Sequence, residues 1–150
     1  MSIQRVLLPV LVWLTFIGCS AAQQPAAVDT RNDSCAHCRM TVSDVRFAGQ
    51  IVAPGEEPRF FDDVGCLRDY LKQHAAPTGA TAYVADHRTK AWVVAAKAVY
   101  VRNEQVDTPM GSHLLAFADA ASRDAGAPVP GTRMTAAEVF GPAGPPQAGK

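Results

Sequence analysis

The chain has no charge imbalance. It carries 14 Lys and Arg against 14 Asp and Glu, a formal net charge of zero. Without a basic excess there is no electrostatic footprint for nucleic acid, and without an acidic tract there is none for calcium or a histone. No Ser-His-Asp order, paired-carboxylate spacing or phosphate-cradling glycine loop is present, so no catalysis is expected. A bilayer crossing needs about 20 apolar residues. The apolar run from Val6 to Ile17 is shorter than that and is broken by Pro9. Sulfur is scarce as well, with four Cys and four Met in 150 residues.

What that apolar run does have is Arg5 before it and small residues after it, the pattern of an export signal over residues 1–18. Phe16-Ile17-Gly18-Cys19 resembles a bacterial lipobox, with Phe16 where Leu is usual, and makes Cys19 the expected lipidation site. The alternative is ordinary cleavage after Ser20-Ala21-Ala22. Either way the chain is expected to act outside the cytoplasm, on the periplasmic side of a membrane, with the outer membrane the anchoring site. Lipidation or removal of Cys19 leaves Cys35, Cys38 and Cys66 in a compartment where thiols tend to oxidise. An odd number argues against a pure disulfide scaffold.

Residues 19–32 read as a lipidated Cys and a flexible tether, and the Gly- and Pro-rich residues 141–150 as a disordered tail. The folded part is expected over residues 33–140, as two similar halves of about 33–88 and 89–140. In the first, strands are expected over Phe47 to Ala53 and Arg59 to Phe61, a helix over Val64 to His74 and a strand over Thr81 to Ala85. Asp62 or Asp63 supplies the N-cap of that helix. In the second, Ala91 to Val94 and Ala98 to Arg102 read as strands. Leu114, Phe117, Ala118 and Ala121 suggest a helix capped by Ser112 and ending near Gly126. Thr135-x-x-Glu138 has the form of a capping box. The expected class is α+β, two consecutive ββαβ units with antiparallel sheet.

The sulfur that exists is concentrated. Ser34-Cys35-Ala36-His37-Cys38-Arg39-Met40 puts two thiols, an imidazole and a thioether within six residues. Thiolate and thioether sulfur select Cu(I) over hard cations, and imidazole also suits copper. In an extended segment Cys38 and Met40 point to the same side. Met110 lies between Pro109 and Gly111 in an expected loop, off any apolar stripe, where a scaffold can aim it. Cys38, Met40 and Met110 are therefore the expected donors to one Cu(I). His113, three residues after Met110, is a further candidate ligand or a solvated first-turn residue, and His37 has the same standing. Cys35 is open to three roles: a reversible disulfide with Cys38, a second thiolate ligand or a structural bridge. Cys66, beside the apolar stripe of the first helix, reads as a buried inert thiol.

These motifs in order also carry a resemblance. Cys35-Ala-His-Cys38-Arg-Met40, Phe47-Ala-Gly-Gln-Ile51, Phe60-Phe61-Asp62-Asp63-x-Gly65-Cys66 and Pro109-Met110-Gly111 before Ala116-Phe117 resemble the NosL family. That resemblance extends over residues 34–138. It implies an outer-face lipoprotein of two ββαβ units that binds Cu(I) and delivers it to nitrous oxide reductase, or to its maturation machinery, in denitrification. It places the family's Cys-x-Met on Cys38 and Met40 and its Met-Gly on Met110. Arg39 stands where Gly is common. The expected partners are that reductase or its assembly apparatus and a membrane, with no nucleic acid.

A thiol-disulfide oxidoreductase using Cys35 and Cys38 is the main rival. Its chemistry needs the first Cys at a helix N-terminus, and Arg39-Met40-Thr41-Val42 is a poor helix former. A zinc module of Cys35, Cys38, Cys66 and one His lacks a second close ligand pair. Haem attachment is excluded, because Arg39 stands where the motif needs His.

Overall fold

The computed structural model describes residues 23–127 and 129–148; the signal, the lipobox and Cys19 lie outside the described residues. The first unit runs β1 (Gly49–Val52), β2 (Arg59–Phe61), α1 (Val64–Gln73), β3 (Thr81–Ala85). The second runs β5 (Val99–Arg102), β6 (Leu114–Phe117), α2 (Ala120–Asp124), β7 (Thr132–Met134), followed by α3 (Ala136–Phe140). All strand pairings are antiparallel, in the orders β2-β1-β3-β4 and β6-β5-β7, where β4 is Trp92–Val94. In both units the first strand is central, flanked by the second and third. The class is α+β with two ββαβ units, as the sequence implies.

Four local expectations change. The segment expected to be a helix from Ser112 onward is instead β6, then a short α2 capped by Asp119. Leu114 and Ala116 pack into one apolar cluster, while Leu115 and Phe117 pack into another. Apolar residues demanded on both faces make a period of two, and a short all-apolar run does not distinguish that from a buried helix. Secondly, β4 hydrogen-bonds to β3 through the Tyr83–Val94 to Ala85–Trp92 register, so it closes the first sheet instead of opening the second. Thirdly, the tether is docked from Gln23 onward. The buried Gln50 amide accepts from Ala26 N–H at 2.8 Å and donates to its carbonyl at 3.1 Å, and the Tyr83 hydroxyl donates to the Gln23 carbonyl. Buried amides require partners, and the tether backbone supplies them. Lastly, the tail is laid along β3, with Ala82 N–H donating to Pro146 O and Ala148 N–H to Thr81 Oγ1.

One core joins the units. Phe61, Val64 and Leu67 share a cluster with Tyr100, Leu114, Ala116 and Val139. Helix α1 packs on β1, β2, β6 and α3, and its N-terminal Gly65 lies against Ser112 of the second unit's loop before β6. Among the described residues no helix is long and apolar enough to cross a membrane.

Candidate metal centre

The Cys35–Met40 segment is a tight turn. Cys35 N–H donates to Met40 O at 2.8 Å and Arg39 N–H to Cys35 O at 3.0 Å, while Arg39 takes a φ of 67°. Cys38 and Met40 therefore do not alternate along an extended strand, and the same-side argument does not describe them. The left-handed residue is disfavoured for any side chain but glycine. This accounts for why glycine suits that position.

The turn is fastened to β2. Cys35 bridges Phe60 in parallel, and Ala36 N–H donates to Phe60 O at 2.8 Å. From Phe60 the chain runs through Asp62 and Asp63 into α1, whose third residue is Cys66. Fixing the turn to the strand that feeds the helix brings the three sulfurs together. The Sγ atoms of Cys35, Cys38 and Cys66 all lie within 4.8 Å of one another. Among the described residues no other three His, Cys, Asp or Glu converge this way. Cys35 (0% exposed) and Cys66 are buried, and Cys38 is half-buried.

The electrostatics favour a thiolate there. Cys35 is held well below the ordinary thiol range, first because Cys66 donates a hydrogen bond to it, then, against the opposing cost of burial, because the N–H groups of Cys38, Asp62 and His37 point at its sulfur. The Cys38 N–H to Cys35 Sγ distance is 3.5 Å. Cys66 is pushed up by donating that bond and by burial, and Cys38 is pushed up chiefly by burial. Cys66 also sits at the positive end of a ten-residue helix, which favours negative charge when its proton leaves.

Asp63 locks the second unit's loop onto this site. Fully buried, it caps α1 by accepting from Cys66 N–H at 2.8 Å through Oδ1. Its Oδ2 accepts from Thr108 Oγ1 at 3.0 Å and from Met110 N–H at 3.2 Å. Met110 and Cys66 consequently line one hollow of about 190 Å³ with His37, Asp63, Gly65 and Ser112. Met110 (47% exposed) and Met40 (60%) are the exposed large apolar side chains among the described residues. His113 is engaged elsewhere: its Nδ1 faces Val106 O at 2.9 Å, and its Nε2 lies 3.7 Å from Glu104. The structure brings Cys35 and Cys38 together, adds Cys66, sets Met110 at the edge of the hollow and leaves His113 outside the sulfur group.

Cys66 is the residue that sequence reasoning set aside. Two signals pointed to it: the odd thiol count, and a Cys in the first turn of a helix capped by Asp63, where thiolates are stabilised.

The family model that matches the chain is NosL, over residues 25–137, about three quarters of its length. The chain belongs to the NosL family. This NosL protein finds no match among curated proteins or solved structures. Family membership gives a copper-related accessory role, and the three-thiol cluster gives a place for a metal ion in this NosL chain.

Proposed function

We propose that the chain is a Cu(I) carrier that holds the ion on the thiolates of Cys35, Cys38 and Cys66 and releases it past the thioethers of Met40 and Met110. The observation that carries this reading is the convergence of three sulfurs within 4.8 Å. An ion about 2.3 Å from each of three sulfurs needs them about 4 Å apart. A small contraction of the cluster reaches that. Thiolates neutralise and retain the ion, while neutral thioethers are easily displaced. Exposed Met110, which lines one hollow with Cys66, and exposed Met40, two residues after Cys38, supply such donors where an acceptor can reach them.

The client we propose is nitrous oxide reductase or its assembly machinery, and the site of action is the periplasmic face, with Cys19 as lipid anchor to the outer membrane. The family supports the copper role, and the export signal supports the compartment. We favour this over the oxidoreductase alternative, because Cys35 and Cys38 stand in a turn and not at a helix N-terminus.

An anaerobic titration of Cu(I) against a colorimetric chelator tests the proposal. Cys35→Ser, Cys38→Ser and Cys66→Ser are each expected to weaken binding by more than tenfold. Met40→Ala and Met110→Ala are expected to weaken it less but to speed or misdirect release, and His113→Ala to leave affinity within about twofold. Wild-type affinity in Cys66→Ser overturns the ligand set. Preference for zinc over Cu(I) overturns the metal.

A further inference from the structure

Three sulfurs in one group do not present themselves equally. Cys35 is anchored by its bridge to β2 and Cys66 by its place in α1, and both are buried in the core joining the two units. Cys38 lies on the turn between them, half-buried, two residues before Met40, whose side chain is 60% exposed. A disulfide needs its sulfurs about 2.05 Å apart. The Cys35–Cys38 pair closes by tightening one four-residue turn. In the Cys35–Cys66 pair both sulfurs are buried, out of reach of an incoming disulfide.

We propose that Cys35 and Cys38 form a reversible disulfide that opens and closes at the Cys38 sulfur, and that a dithiol reductase of the thioredoxin class is the partner that reopens it. In the closing direction a small disulfide R–S–S–R transfers one half to Cys38 Sγ and releases R–SH. Cys35 then attacks Cys38 Sγ, forms the S–S bond and expels the second R–S⁻. Two electrons and two thiol protons pass to R–S–S–R. In the opening direction the reductase thiolate attacks Cys38 Sγ, and Cys35 departs as a thiolate. The second reductase thiol then attacks the first reductase sulfur and Cys38 leaves, returning two electrons and two protons.

The direction of attack follows from access and from the leaving group. Exchange is fastest at the accessible sulfur and when the departing thiolate is stabilised. Cys38 is the accessible one. Cys35 leaves as a sulfur that already accepts from Cys38 N–H at 3.5 Å. Exposed Met40 offers the approaching reductase an apolar footing next to the target. Closed, the site retains a single thiol, Cys66, and releases its metal. That consequence rests on the copper reading above, whereas the disulfide chemistry stands without it.

The test uses no copper. The reduced full chain, carrying Cys19→Ser so that three thiols remain, is treated with the aromatic disulfide DTNB. The sites are mapped by mass spectrometry after denaturing alkylation. The expected result is two thiolate equivalents released, a Cys35–Cys38 disulfide and alkylated Cys66. Cys38→Ser is expected to slow release at least tenfold, with Cys66→Ser still forming the disulfide. A thioredoxin with its resolving Cys replaced by Ser is expected to trap on Cys38 of the oxidised chain. A Cys35–Cys66 disulfide, trapping on another Cys, or undiminished reactivity in Cys38→Ser overturns the proposal. Normal disulfide chemistry with no Cu(I) binding would reject the copper reading alone.

Discussion

Gly65 and Ser112 touch where the two units meet. A Cβ added at Gly65 would lie 2.4 Å from the Cβ of Ser112. Helix α1 and the Met110 loop therefore approach as closely as they do because residue 65 has no side chain. Gly-to-Ala in a helix interior ordinarily stabilises by about 0.5–1 kcal/mol. Here the sign reverses. Gly65→Ala is expected to destabilise by about 1–3 kcal/mol through overpacking and to make Cys66 faster to alkylate as the loop lifts. Urea unfolding and thiol-labelling rates check both. A stabilised variant would show that the loop yields without cost.

Arg39 carries the opposite prediction. Its φ of 67° places an L side chain in the left-handed region. Arg39→Gly is expected to raise unfolding free energy by about 1 kcal/mol, the relief of that conformation less the entropy glycine gains when unfolded. A loss of stability on denaturation would mean that the Arg39 side chain does more for the fold than its backbone strain takes away.

Acid should weaken the clasp at Asp86. This buried carboxylate accepts from the N–H groups of Arg88, Thr89 and Ala118 and from Ser122 Oγ, tying the end of the first unit to β6 and α2. Burial alone would raise its pKa, but those hydrogen bonds outweigh it and hold the group at about 2, below the ordinary carboxylate range. A depressed folded pKa contributes stability above about pH 4 that is lost as pH falls toward about 2, some 2 kcal/mol in all. Asp86→Asn should be less stable than wild type at pH 7, with the gap closing near pH 2. A gap that stays constant with pH would exclude this carboxylate as the cause.

Gln50 holds the N-terminal segment down. Both polar atoms of its buried amide are bonded to Ala26. Gln50→Leu is expected to free residues before 33 and speed limited proteolysis there several-fold, leaving the core protected. Unchanged cleavage would mean that the Tyr83 bond to Gln23 suffices.

The first unit was legible because its elements carry redundant local signals. The Pro54-Gly55 turn, the Asp63 cap and the α1 stripe all agree with its strands and helix. Leu114 to Phe117 misled, since four consecutive apolar residues satisfy strand and helix alike until their neighbours are known. The same limit applied to residues 19–32 and 141–150. Their composition gives no reason to order, and what orders the parts that are described is Gln50, Tyr83 and Thr81 on the sheet they cross.

The sequence by itself determined the chemistry. Thiols and thioethers gathered in short motifs offer soft donors, because donor type is a property of the residue. It also determined the order of strands and helix in the first unit, where local period and capping agree. Only the tertiary structure decided which sulfurs meet. Cys66 lies 28 positions beyond Cys38. It joins the group because β2 holds the Cys35 turn on one side and delivers the chain into α1 on the other, a relation set by strand pairing and core packing that no local signal encodes.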